Sequence, residues 1–130
     1  MISKKINLVI DKVNQSDFTE EDLQNAPDGF FEEIFVSDLL ELSKNNAIIE
    51  DVIKKVRKNG IVKLNGVDGI DMCRKSYYGE TPIEECSMYF GAVNRINSVI
   101  SIKKYFEKIG WQINFAGINS GRYFVEAKRK

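Results

Sequence analysis

Histidine is absent from the sequence, cysteine occurs twice, and no glycine precedes Gly29. Without histidine, Ser-His and Cys-His nucleophilic catalysis is excluded, as is the commonest general base near neutral pH. Acid–base work falls to carboxylates, lysine or tyrosine. Cys73 and Cys86 do not form a C-x-x-C pair. Four nitrogen or sulfur ligands cannot be assembled from two thiols, so no zinc site is expected. Both cysteines read as small buried apolar side chains. Net charge is also lacking, since 19 Lys and Arg balance 19 Asp and Glu. Strong nonspecific affinity for nucleic acid or anionic membrane is not expected, and the basic end, Ala127 to Lys130, reads as solvated. Long apolar runs are missing too. Only five largely apolar residues follow Met1–Lys5, too few for a signal-peptide core or a membrane span. The expectation is a cytoplasmic protein without nucleic-acid or membrane partners.

What is present is an ordinary share of apolar residues, 43%, enough for one core in 130 residues. Lys5 to Val13 holds a β-branched and leucine run that reads as a strand. Thr19 caps a short helix over Glu20 to Gln24, with carboxylates in its first turn. Pro27-Asp28-Gly29 makes a turn, and Glu33 to Ser37 is the next strand. Ile48, Ile49, Val52, Ile53 and Val56 then share one face of a helix over Asn46 to Lys58. Asn45 or Asn46 caps it, and Gly60 supplies a left-handed stop. Ile61 to Asn65 follows as a strand, so Glu33 to Asn65 forms a parallel pair with a right-handed crossover. Thr81-Pro82 with Glu84 predicts another helix start. A helix over Val99 to Ile109 stops at Gly110. Trp111 to Gly117 and Arg122 to Lys128 close the chain as an antiparallel hairpin around a short turn. The pattern predicts a single α/β domain over residues 1–130: a three-layer sandwich of about five strands, mostly parallel, with an antiparallel C-terminal hairpin.

From Asp28 onward the chain resembles the C-terminal half of the class I S-adenosylmethionine-dependent methyltransferases. Phe31-Glu32-Glu33-Ile34 and Ser37-Asp38-Leu39-Leu40-Glu41-Leu42 match the family's fourth strand and the loop after it. Val56-Arg57-Lys58-Asn59-Gly60-Ile61-Val62-Lys63-Leu64 matches the approach to the fifth strand. Asp68, the region Arg74 to Phe90 and Phe106-Glu107-Lys108-Ile109-Gly110-Trp111 follow in the family's order, and Gly121 to Lys130 resembles its last strand. The resemblance implies a shortened Rossmann-like fold and S-adenosylmethionine as cofactor, with no metal. It places Ser37 and Asp38 beside the cofactor, and Asp68, Arg74, Tyr77 and Tyr78 where the family covers its substrate. Leu42 stands where the family carries a histidine.

The N-terminal part departs from the family. A glycine-rich turn after the first strand lets the backbone approach the cofactor, and here the strand runs into Asp11-Lys12-Val13-Asn14 without glycine. Two alignments remain open. The strand is the family's first, with the next two missing, or its second, with Asp11 in the ribose-binding position.

Each candidate also has a plain structural role. Ser37 or Asp38 can cap the next helical turn, Asp11 can be a strand-end acid, and the Asp68 to Tyr78 set can belong to a surface helix with aromatic anchors. Two functions follow: a shortened methyltransferase acting on an unidentified acceptor, or a non-catalytic binding or dimerisation module that has lost the cofactor. In either, the strand at Ile6 to Ile10 is too apolar for an exposed sheet edge. A symmetric homodimer covering that edge or its neighbouring face is the expected partner arrangement.

Overall fold

A computed structural model of the chain describes residues 5–10, 12–13 and 15–130; Asp11 lies outside the described residues. In chain order the elements are β1 (Lys5–Leu8), β2 (Asp17–Phe18), α1 (Glu20–Gln24), β3 (Phe31–Ser37), α2 (Leu39–Leu42), α3 (Ile48–Lys55) and β4 (Val56–Val67). They continue with α4 (Gly69–Tyr77), α5 (Ile83–Ala92), α6 (Val99–Lys108), β5 (Gln112–Asn119) and β6 (Arg122–Lys128). One sheet has the order β2-β1-β3-β4-β6-β5. β2, β1, β3 and β4 run parallel; β6 is antiparallel to β4, and β5 is antiparallel to β6. This is the mixed, mostly parallel α/β fold expected from the sequence.

Local chemistry explains several boundaries. Thr19 and Asp22 form a reciprocal capping box at α1. Asn119 to Arg122 closes the β5–β6 hairpin with Ser120 at φ 54° and Gly121 at φ 77°. Two successive left-handed residues match the right-handed twist of the flanking strands. Gly110, at φ 83°, ends α6 as expected.

Other boundaries differ. β1 stops at Leu8, and the short β2 pairs with it through Asn7↔Asp17 and Leu8↔Phe18. The helix expected to reach Lys58 ends at Lys55, and β4 begins at once. Its opening residues bulge out of register between Phe31↔Val56 and Glu33↔Ile61. Asn59, not Gly60, adopts the left-handed conformation, at φ 66°. Gly60 is needed for space instead: a Cβ there would lie 2.6 Å from Val56 Cγ1 and 2.9 Å from the Glu32 carbonyl. Pro82 occupies the position before α5 without a side-chain cap, so Thr81 does not cap that helix.

The core lies on one side of the sheet. Ile6, Leu8, Ile34, Val36, Val62, Leu64, Val125 and Ala127 point to it, and Leu23, Leu39, Val52, Ile102 and Phe106 meet them from α1, α2, α3 and α6. At about 25 cal/mol per Å2 of apolar area, each Val, Leu, Ile or Phe side chain of this set contributes about 1.5–3 kcal/mol of burial. On the other side, the alternate residues Glu33, Phe35, Ser37, Lys63, Phe124 and Glu126 are half-buried or exposed. Of the three expected layers, the described residues build a helical layer and the sheet, and leave this second face uncovered. α4 and α5 pair with each other beyond the end of β4 and contribute nothing to the main core.

Candidate functional site

The carboxyl ends of β3 and β4 carry a connected polar group, where open α/β sheets hold ligands. Asp38, directly after β3, has φ 63°, unusual for a residue with a side chain. Its amide donates to the Asn65 carbonyl at 2.9 Å, tying the turn to β4. Arg122 enters from β6. Its Nη2 lies 2.9 and 3.0 Å from the two Asp38 carboxylate oxygens and 2.7 Å from Asn65 Oδ1. Ser37 Oγ donates to the same Asn65 oxygen at 2.8 Å. Asp38 provides no side-chain cap to α2, so neither capping nor a free ligand group describes it. Of the polar groups expected to face a cofactor, Asp38 is engaged by the chain's own guanidinium and Ser37 by Asn65.

Behind this network lies Glu41, 1% exposed. Its Oε2 accepts from Tyr123 Oη at 2.7 Å and from Asn97 Nδ2 at 2.6 Å, while Oε1 has no hydrogen-bond partner. Burial raises the Glu41 carboxyl above its ordinary value, and the two hydrogen bonds offset this only in part. Burial together with the nearby Glu41 charge raises the Tyr123 phenol as well, and pushes Tyr89 up to about 12. Gly66 makes room for Glu41: a Cβ there would collide with Oε1 and lie 2.8 Å from Tyr123 Oη. Arg95 closes α2 by donating to the carbonyls of Leu40, Ser43 and Asn45, each at 2.7 Å. The Leu40 carbonyl is one that a short helix leaves without an internal partner, and those of Ser43 and Asn45 belong to the turn after it. Glu41 is thus a buried carboxylate joining α2 to β6 and to Asn97.

The expected substrate residues do not converge on this group. Asp68 is 1% exposed and caps two helices, accepting from Asp71 N at 2.9 Å and from Val99 N at 2.9 Å. Arg74 bonds Asp71 at 2.7 Å along its own helix, and this pairing holds the Asp71 carboxyl below its usual range. Tyr77 and Tyr78 stack edge to face at 5.1 Å and are 84% and 68% exposed. Tyr77 lines the α4–α5 groove with Ile83 and Phe90. Cys86 is buried there as expected, whereas Cys73 is exposed.

A cofactor cradle of the family kind does not fit the residues present. Val9 and Ile10 stand where the glycine turn would let backbone approach a nucleotide. The space left at the end of β1 is an open cleft of about 500 Å3, lined by Val9, Ile10, Glu20, Glu21, Leu39 and Leu42 among others. Glu20 already accepts from Ser43 Oγ.

Sequence reasoning nominated Ser37 and Asp38 but missed Arg122, Asn65, Glu41 and Asn97. Only one signal pointed to any of these, a glutamate inside the apolar run Leu39 to Leu42.

No family model matches the chain, and no curated protein matches it in sequence. Solved structures match its fold. A SAM-dependent methyltransferase of Thermotoga maritima aligns with TM-score 0.62 at 13% identity, over 89% of this chain and 66% of that one. An S-adenosylmethionine-dependent methyltransferase of Mesorhizobium loti aligns with TM-score 0.61 at 11% identity, over 97% and 81%. A Listeria monocytogenes protein assigned to the same class gives TM-score 0.64 at 12% identity, over 98% and 81%. The chain thus has a methyltransferase-like fold and spans two-thirds to four-fifths of the length of these proteins. Among the described residues no helix is long and apolar enough to cross a membrane, and no cluster suited to a metal ion occurs.

Proposed function

We propose that this chain is a methyltransferase-fold binding module that does not take S-adenosylmethionine on its own. The observation carrying this reading is the Arg122 bridge to Asp38 and Asn65. It fills the strand-end position with an internal cation, opposite a first strand that lacks a glycine turn. A sulfonium cofactor arriving there would meet a guanidinium already paired with the carboxylate, and its adenosine would find few backbone donors. Binding would need the bridge to open without the compensating contacts that a preformed site supplies.

A second reading, an active methyltransferase with an unidentified small-molecule or protein acceptor, is favoured by the fold and by the cleft at Val9 and Glu21. Methyl transfer depends mainly on aligning donor and acceptor, so the absence of histidine is compatible with it. Calorimetric titration with S-adenosylmethionine and S-adenosylhomocysteine separates the two. The module reading expects no heat and no thermal shift at millimolar ligand. Micromolar binding that weakens at least tenfold in Glu21→Ala would replace it with the enzyme.

A further inference from the structure

Helices α4 and α5 supply no residue to the main core, yet they face each other along a groove of about 580 Å3. Cys73, Ser76 and Tyr77 line it from α4, and Ile83, Cys86 and Phe90 from α5. Spacings of three and four residues put each set on one helical face, so the two cysteines of the chain meet in the same groove. They differ in access: Cys86 is 3% exposed, whereas Cys73 is open to solvent. We propose that Cys73 and Cys86 are a thiol–disulfide pair, with Cys73 the attacking thiol and Cys86 the resolving one, oxidised by a low-molecular-weight disulfide of the glutathione type.

The geometry puts the thiols within reach of each other. The Cys86 thiol donates to the Met72 carbonyl at 3.6 Å, and Met72 directly precedes Cys73. In a planar trans peptide the carbonyl oxygen lies about 2.8 Å from the next Cα. Cys86 Sγ is therefore no more than about 6.4 Å from Cys73 Cα. The bridge asks for a χ1 rotation at Cys73, which an exposed side chain can make, and the small Ser76 and Ser87 line the same groove. Cysteines serving only as apolar filling would both be buried, and Cys73 is not. Exchange depends on access to the thiolate, so the exposed sulfur meets the oxidant first. Its thiolate attacks one sulfur of the small disulfide, forming a mixed disulfide and releasing one small thiol. Cys86 then gives up its contact with the Met72 carbonyl, and its thiolate attacks Cys73 Sγ. The internal bond forms and the second small thiol leaves. Two protein thiols are thereby oxidised, one small disulfide is reduced to two thiols, and the two protons go with them. Closure ties α4 to α5 covalently where the main core does not hold them. The proposal stands on this groove alone and is independent of what the strand ends bind.

Oxidised glutathione is the probe, applied to the reduced full chain under native conditions, with peptide mass mapping in the absence of reductant as the readout. Wild type is expected to gain an intramolecular Cys73–Cys86 crosslink and to retain no glutathione. Cys86→Ser is expected to keep glutathione on Cys73, because nothing resolves it. Cys73→Ser is expected to react at least tenfold more slowly, because the remaining thiol is buried. The wild-type map needs no variant, so a replacement that disturbs the fold, as seen by circular dichroism, leaves the test intact. A wild type left with two thiols overturns the proposal, as does one that holds glutathione on Cys73 as long as Cys86→Ser does. So does a crosslink that forms only between chains or only in urea, or equal reactivity of the two single-cysteine variants. The cofactor titration is made on the reduced chain, so the two readings fail separately.

Discussion

Along β3, neighbouring residues live in different surroundings. Ile34 and Val36 are 0% and 1% exposed beneath the helices, while Phe35 between them is only half-buried and Ser37 is open. The same split crosses the sheet, with Val62 and Leu64 against Lys63, and Val125 and Ala127 against Phe124 and Glu126. A strand side chain alternates faces with period two, so one continuous sequence serves a closed core and an open surface together. The lesson is that β3 and β4 carry apolar residues on both faces, while helices are supplied for one.

The sharpest way to test that contrast is to truncate both faces of one strand. Ile34→Ala is expected to cost about 3–4 kcal/mol in urea unfolding, because it leaves a cavity under the helices. Phe35→Ala is expected to cost less than half as much in the same assay, because its side chain is only half-buried. Equal losses would mean that the second face is packed in solution.

Next in size is the Gly66 site. Gly66→Ala forces a methyl against Glu41 and Tyr123 and is expected to cost about 1–3 kcal/mol in the same assay, because neither buried side chain has room to retreat.

Glu41 itself gives a pH dependence with a definite sign. Its carboxyl is raised above 4.5 in the folded chain, so the folded state holds this proton more tightly than the unfolded one. That contribution is complete below about pH 4.5 and is lost as pH rises through the raised value. Glu41→Gln is therefore expected to gain stability relative to wild type toward neutral pH, and the difference should vanish in acid. A wild-type curve that rises over the same window for this residue would reverse the assignment.

Smallest are the effects at the rim and on α4. Arg122→Ala removes a partly exposed bridge and is expected to cost about 1 kcal/mol or less. Joint replacement of Tyr77 and Tyr78 by serine should change stability by less than about 0.5 kcal/mol. A loss of 2 kcal/mol in that double variant would show that the α4 tyrosines are packed and not free.

Much of the framework was legible in local pattern. The Thr19 cap, the Gly110 stop, the β5–β6 hairpin and the β3-α3-β4 crossover all depend on residues close in sequence. Their chemistry is local, so period and turn residues reveal it. The candidate site was less legible. Ser37 and Asp38 were found from their position at a strand end, but their partners were not. Arg122 is 84 residues from Asp38, and Asn97 is 56 from Glu41. Asp68 drew notice as a loop acid, yet its second bond reaches Val99, 31 residues on.

The sequence alone determined that strands and helices alternate, that the closing strands pair antiparallel, and that histidine chemistry is excluded. These follow from residue type and short-range spacing. Only the tertiary structure decided that Arg122 would satisfy Asp38, that Glu41 would be buried against Gly66, and that one sheet face would stay open. Each depends on which distant segments meet, and that is set by how helices and strands share a single core.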